Sequence, residues 1–246
     1  MAPLEMLAEC SSITIPDPAC PALMPPTGEV PLDPNARSIS ATLEGVSIGC
    51  LTLVGIAITT RIFTRIHLIK TFALEDSMMI LATIGFVVFV ALSLYSIKFG
   101  LGKHQWDVTI EDLLKGLRRG YAAQIMYCLA IYTAKIGVLL QIKRIFTGKK
   151  RAFVYWASWT AIVLVTCAYT ASLFFNIFQC IPVEKTWNPF IAGTCKLKGK
   201  GGILDGVVNL VSDLAILAIP TVAITQLQMD LRKKLGVSAI FATGLL

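Results

Sequence analysis

Long apolar stretches recur along this chain, with short polar segments between them. They cover residues 40–60, 77–97, 120–142, 153–178 and 203–225. A helix rises about 1.5 Å per residue, so each stretch matches a hydrocarbon core about 30 Å thick. None shows the two-residue alternation of a strand, and in lipid only helices or closed barrels satisfy the backbone. The pattern predicts an all-α polytopic membrane helix bundle with five transmembrane helices.

A shorter apolar run closes the sequence after a basic segment. It covers residues 235–246, which reach only about 18 Å as a helix and cannot cross a bilayer. We interpret the run as the C-terminal stub of a sixth helix in a truncated, longer bundle. The alternative is a short re-entrant helix.

Composition supports the membrane interpretation. Hydrophobic residues make up 55% of the chain and charged residues only 15%, against about 25% charged in soluble domains. The net charge of +7 is spread over the loops between apolar stretches. This distribution favours membrane topology and lipid headgroups over nucleic acid as the reason for the basic residues.

The first 37 residues differ from the rest, because prolines recur among small and acidic residues. We expect residues 1–37 to form an extracellular, disordered tail and residues 38–246 to form the bundle. This tail does not contain the basic segment followed by an apolar one that marks a cleavable signal peptide, so none is expected. Compact basic clusters at 61–70, 143–151 and 232–234 are typical of cytoplasmic helix ends. The sequence thus predicts an outside N-terminus, and the plasma membrane is the default location.

Motifs of catalysis and metal binding are nearly missing from the sequence. The string from Gly45 to Gly49 matches a nucleophile elbow by letters, but it lies inside an apolar helix. We interpret it as small-residue helix packing. His67 and His104 are expected on opposite sides of the membrane, where they cannot share a metal. We therefore expect no enzyme activity, no cofactor and no metal site.

The cysteines sort by their surroundings. Cys180 and Cys195 flank a loop that contains Trp187, and a disulfide between them is expected if the loop faces the oxidising side. Its first role would be to close the loop, and its second to shape a ligand entrance. Cys10 and Cys20 in the tail are a weaker candidate pair. Three further cysteines are interpreted as small packing residues inside apolar stretches: Cys50, Cys128 and Cys167.

Charges inside the apolar stretches are the sharpest functional signal, because each is costly unless paired or hydrated. Lys135 lies in the third stretch, and Asp205, Asn209 and Asp213 share one face of the fifth. One interpretation pairs Lys135 with Asp213. The other lets Lys135 extend towards the headgroups while Asp213 bonds Asn209 or a hydroxyl.

The segment 99–119 is amphipathic. Its glycines predict turns, and Trp106 suits the headgroup level of a bilayer. Residues 109–117 predict a short interfacial helix. Trp106 is interpreted first as a membrane anchor and second as a ligand contact.

Several of these motifs together resemble the fungal rhodopsin-domain family of integral membrane proteins, which includes the Pth-type receptor-like and Sat proteins. The matching pieces include Arg61 and Arg65, Glu75-Asp76, Phe99 to Asp107, Tyr121 to Gln124, Lys135, Phe178 to Pro182, Trp187, Cys195, Asn209, Asp213 and Pro220. The family usually has two aspartates where this chain has Glu75-Asp76. The resemblance covers about residues 40–246 and implies a seven-helix bundle with the N-terminus outside. It does not imply retinal.

The resemblance implies a receptor-like or sensory protein without catalysis. The hypothetical ligand-binding residues are Lys135, Asn209, Asp213, Trp106 and Trp187. A cytoplasmic signalling partner is expected at the basic loops, beside membrane lipids and with no nucleic acid. The alternatives are a secondary-metabolite transporter and a membrane accessory protein of a biosynthetic gene cluster.

Overall fold

The computed structural model describes residues 17–26, 29–33, 36–146, 152–196 and 201–225. The described helices are α1 (Ser40–Phe63), continued by a π-helical turn (Thr64–Ile69), α2 (Leu74–Ser96), α3 (Ile110–Phe146), α4 (Ala152–Ile177) and α5 (Gly201–Thr225). Two short strands, β1 (Cys180–Ile181) and β2 (Thr194–Cys195), pair antiparallel between α4 and α5.

All five of these helices are long and apolar enough to cross a membrane. Their backbone groups bond within each helix, as the hydrocarbon region requires. The structure confirms the predicted all-α membrane helix bundle, and the chain is an integral membrane protein. The predicted stub at 235–246, the basic turn at 148–151 and tail residues 1–16 lie outside the described residues.

The chain divides into two compact units. The first unit contains the residues up to Ala57, Phe86–Tyr127 and Cys180–Cys195, and the second contains Ile58–Gly85, Cys128–Gln179 and the residues from Lys196 onward.

In the first unit, the described tail residues between 17 and 39, here called the tail strap, run along the loop between α2 and α3. The bonds join Ala22 N to Val108 O (2.9 Å), Leu32 N to Trp106 O (3.1 Å), Ile39 N to Gly102 O (3.0 Å), Ile110 N to Cys20 O (2.9 Å) and Glu111 N to Pro18 O (3.1 Å). The described part of the tail is therefore held against the loop. Disorder stays a prediction for residues 1–16, and pairing of Cys10 with Cys20 stays one because Cys10 is not described.

In the second unit, α3, α4 and α5 enclose an apolar core. Leu139 is fully buried, and Ile142 and Val154 are each only 1% exposed. Ile216 and Ile219 of α5 join the same cluster. This packing places the polar residues of α5 against α3 and α4.

The close glycine contacts are not where the sequence pattern suggested. Among the described residues, nothing lies within 4 Å of a Cβ added at Gly45 or Gly49, so the expected packing role of this pair is wrong for the described chain. The tight approaches of one membrane-spanning helix to another are in the second unit. A Cβ at Gly85 would lie 3.1 Å from the Ala130 Cβ, and one at Gly137 would lie 3.0 Å from the Met79 sulfur.

Helix α3 is longer than the apolar pattern indicated. It has 37 residues and so extends about 55 Å. The expected short interfacial helix at 109–117 is wrong, because Ile110 to Leu117 form the first turns of α3. Polar residues continue a helix as long as their backbone N–H and C=O groups keep the helical hydrogen bonds.

Candidate functional site

The Lys135 ammonium group, on α3, is saturated with acceptors from α5. Its nitrogen lies 2.6 Å from the Asp213 carboxylate, 2.6 Å from the Ser212 hydroxyl and 2.9 Å from the Asn209 carbonyl oxygen. An ammonium group has three donors, so all three are used. Lys135 is only 6% exposed. The sequence left two interpretations open, and the structure shows the one in which Lys135 pairs with Asp213.

Helix α4 contributes to the same region through Tyr169. The phenol hydroxyl donates to the Asn209 side-chain oxygen at 3.1 Å. The Lys135 nitrogen also lies 5.6 Å from the centre of the Tyr169 ring, within the range of a cation–π interaction. Asn209 thus connects to α4 through its side chain and to α3 through its backbone.

Asp205, one turn earlier on α5, is bound by α4. Asn176 donates to its carboxylate at 2.9 Å, and the Ser172 hydroxyl donates to its other oxygen. Three residues spaced four apart on α5 therefore bind neighbouring helices: Asp205, Asn209 and Asp213. We call these three residues and Lys135 the α5 polar stripe. Their spacing on one helix face was visible in the sequence, but their partners Tyr169, Ser172 and Asn176 were not.

A second polar cluster in the same unit was not identified from the sequence as a site. Glu75 and Asp76, at the start of α2, are 5% and 2% exposed. Arg61 contacts Asp76 at 2.9 Å and donates to Gln141 at 2.9 Å. Arg65 contacts Asp76 at 3.2 Å.

Arg144, near the C-terminal end of α3, completes this cluster. It lies 2.6 Å from the Glu75 carboxylate and donates to Thr71 at 3.2 Å. We call Arg61, Arg65, Glu75, Asp76 and Arg144 the arginine cluster. The sequence signal for this cluster was the pair of carboxylates at the start of an apolar helix, because charges in that position need partners.

The predicted disulfide between Cys180 and Cys195 is present, with 4.0 Å between the two Cα atoms. It joins β1 to β2, and the loop between them carries Trp187. That indole lies 5.3 Å from the Tyr121 ring on α3. Gly193 is required beside the bond, since a Cβ there would lie 2.4 Å from the Ile181 carbonyl oxygen.

The five predicted ligand-binding residues are divided between the two units. Lys135, Asn209 and Asp213 come together in the second unit, whereas Trp106 and Trp187 belong to the first. Trp106 stacks on His104 with ring centres 4.4 Å apart. Among the described residues, no ring contact joins Trp106 to Trp187. No described group of three His, Cys, Asp or Glu side chains is arranged to hold a metal ion.

Comparison with known proteins gives the family. The model of the fungal rhodopsin domain matches residues 60–246. An Emericella nidulans protein named as a SAT4 family membrane protein is 34% identical over 64% of this chain and 41% of its own length. Fugralins biosynthesis cluster protein 2 of Gibberella zeae is 29% identical over 92% of this chain and 58% of its own.

A third relative, Receptor GIN3 of Arthrobotrys oligospora, is 25% identical over 88% of this chain and 52% of its own length. The chain spans about half the length of these curated relatives. No solved structure matches it. With three quarters of its sequence matched by the family model, the chain belongs to the fungal rhodopsin-domain family of membrane proteins.

Proposed function

We propose that the chain is part of a receptor-like, sensory membrane protein without catalysis, placed in the plasma membrane with its N-terminus outside. The observation that carries the proposal is the α5 polar stripe. A charge within the apolar part of a bundle is costly and typically marks a functional region. The name of the relative Receptor GIN3 agrees with a sensory role.

The stripe suggests how a signal would reach α5. Lys135 directs all three donors to α5, so a ligand that competes for the ammonium group weakens the connection between α3 and α5. Pro220 lies further along α5 and cannot donate a backbone bond to the preceding turn. A helix weakened at this point can move beyond it when the stripe is released. In this proposal Lys135, Asn209 and Asp213 respond to ligand.

The proposed signalling partner binds the basic segments on the cytoplasmic side. Arg61 and Arg65 are largely used by Asp76, whereas the Arg144 side chain is 40% exposed. Arg144 is therefore the described guanidinium of the arginine cluster best placed to meet an acidic surface.

The test is recruitment of a heterotrimeric G-protein α subunit in fungal cells. The chain carries a luciferase and the α subunit a fluorescent acceptor, and energy transfer is compared for wild type, Asp213→Asn and Asp213→Glu at equal membrane levels. Asp213→Asn should change basal recruitment at least twofold, because the stripe is weakened, and Asp213→Glu should retain most of the wild-type signal. Glu111→Gln on the exposed start of α3 is the matched control.

The same signal from wild type and Asp213→Asn, or no recruitment by any form, would remove the receptor proposal.

A second candidate is a transporter or accessory protein of a biosynthetic gene cluster, which the name of the Gibberella zeae relative favours. Proteoliposomes loaded with a fungal metabolite extract would report release by mass spectrometry. Release that Asp213→Asn abolishes supports transport, and unchanged leakage excludes it.

A further inference from the structure

The first unit contains a cavity of about 460 Å³ between the end of α2, the loop 97–109 and the start of α3. This volume is within the range of about 300–1,000 Å³ that small-molecule sites occupy. None of the five ligand-binding residues predicted from the sequence lines it. The cavity is therefore a separate candidate site.

Two glycines one turn apart on α3 leave the space open. A Cβ at Gly120 would meet nothing within 4 Å, and a Cβ at Gly116 would touch only Phe99, at 3.7 Å. Glycine inside a helix costs about 1 kcal/mol relative to alanine. Gly120 lines the cavity, so a large side chain at this position would enter the open volume.

The walls of the cavity are held in place without a ligand. The Arg119 guanidinium lies 3.9 Å from the centre of the Phe99 ring. The tail strap bonds to the middle of the loop at Gly102 through Ile39, and near its end at Val108 through Ala22. A site whose walls are fixed in advance loses little conformational entropy on binding.

The lining of the cavity is mostly apolar. Its apolar part includes Phe89, Phe99, Leu101, Leu113 and Leu117. Lys103 is the only ionisable side chain among the residues that line the cavity, and it makes no ion pair with a described residue. An apolar cavity with one exposed lysine that has no ion-pair partner among the described residues favours an apolar molecule that carries one anionic group.

The serine hydroxyls in the wall strengthen this selection. Ser93 and Ser96 donate to carbonyl oxygens of their own helix, at 2.9 and 2.8 Å. Their donors are therefore in use, and Lys103 remains the charged donor that a carboxylate would meet.

We propose that this cavity binds single-chain amphiphilic carboxylic acids, with the hydrocarbon chain between α2 and α3 and the carboxylate at Lys103. The acid has the same chemistry whether it arrives from the medium or from the bilayer. The site does not depend on the receptor proposal, because it uses none of the residues of the α5 polar stripe.

The test measures binding of radiolabelled decanoic acid and decanol to the full chain in phosphatidylcholine nanodiscs at neutral pH. Wild type should bind the acid saturably and at least tenfold more tightly than the alcohol. Lys103→Met should remove this preference and leave the alcohol affinity unchanged. Gly120→Leu should abolish both, whereas Gly49→Leu, on a helix face with no described neighbour within 4 Å, should bind as wild type does.

Equal binding of acid and alcohol by wild type, or full binding by a folded Gly120→Leu, overturns the proposal. If Gly120→Leu does not fold, Lys103→Met on the loop still decides, because loss of the preference for the acid supports the site and its retention refutes it.

Discs containing phosphatidylglycerol test whether the bound anionic group comes from a lipid headgroup. Displacement of decanoate by this lipid would make a headgroup the occupant and overturn the assignment to a carboxylic acid, while unchanged binding supports it. The assay uses no G protein and no flux, so its failure leaves the proposed function intact.

Discussion

Lys135 and Asp213 are 78 residues apart in the sequence, yet the ammonium nitrogen lies 2.6 Å from the carboxylate oxygen. The two side chains are unequally buried, since 7% of Lys135 and 30% of Asp213 is exposed. Both groups lie on helices that are long and apolar enough to cross a membrane, so exposure there is exposure to an apolar medium and not to water. Breaking the pair from either side therefore leaves an uncompensated charge.

Asp213→Leu and Lys135→Met should each destabilise the chain by about 3–5 kcal/mol, because each leaves the other charge uncompensated in apolar surroundings. The double variant leaves neither charge and should be more stable than either single variant. Unfolding in one detergent measures all three, with Lys115→Met in an exposed pair as the control. A double variant no more stable than the single variants would contradict the pairing.

Asp76→Asn should reduce stability by about 3 kcal/mol. The carboxylate accepts hydrogen bonds from Arg61 and from the Ala73 backbone N–H, the latter at 3.2 Å, and it forms an ion pair with Arg65. An amide keeps the shape but removes the charge that both guanidinium groups face. Gln141→Ala, which removes one hydrogen bond to Arg61, should cost only about 1 kcal/mol.

The matched control for Asp76→Asn is Glu44→Gln, on the exposed face of α1. It should leave the unfolding temperature unchanged. A loss from Asp76→Asn no larger than that from the control would show that the arginine cluster contributes little to stability.

Gly85→Leu should lower the unfolding temperature, and Gly49→Leu should not. The added side chain at Gly85 would meet the Ala130 Cβ at 3.1 Å and its Cα at 3.3 Å, so α2 and α3 would have to separate. Overpacking of this kind costs about 1–3 kcal/mol. Similar behaviour of the two variants in fluorescence-detected thermal unfolding would disprove the close approach at Gly85.

Gly193→Ala should reduce the fraction of chains in which Cys180 is bonded to Cys195. The alanine Cβ would lie 2.8 Å from Pro182 Cδ and closer still to the Ile181 carbonyl oxygen, which forces β1 and β2 apart. Mass spectrometry after alkylation with and without reductant measures that fraction. Gly202→Ala, with no described atom within 4 Å, is the control, and a fully oxidised Gly193→Ala would refute the steric argument.

Loss of the disulfide itself should be visible in stability. Cys195→Ser opens a loop whose ends are 15 residues apart, and the chain-entropy model assigns about 3 kcal/mol to a loop of this length. Reductant should lower the unfolding temperature of wild type by more than that of Cys195→Ser, which keeps only the predicted pair of Cys10 and Cys20. A wild-type chain insensitive to reductant, although reduced, would contradict this expectation.

Much of the helix arrangement could be predicted because lipid imposes one strong constraint, a long apolar helix. The predicted stretches 153–178 and 203–225 agree closely with Ala152–Ile177 and Gly201–Thr225. The start of α3 was missed because residues 110–119 are polar enough to leave the apolar pattern while remaining helical. The disulfide could be predicted because Cys180 and Cys195 flank one loop.

The remaining features depend on contacts that residue spacing does not encode. The sequence indicates that Glu75 and Asp76 need cations, but not which arginines reach them. It shows Lys135 and Asp213 at compatible depths, but the pairing depends on how α3 and α5 rotate about their axes. The cavity beside Gly120 depends on the course of a loop, and no periodicity predicts that course.

The tail strap is bound almost entirely through peptide groups, with the Asp33 N–H to the Asp107 carboxylate as a side-chain exception. Peptide groups are common to all residues, so the exposed side chains along the strap can change while its path stays the same. Proline is excluded at the donor positions Ala22, Leu32 and Ile39, because it has no N–H. The strap can therefore offer different chemistry to its surroundings without a change in its course.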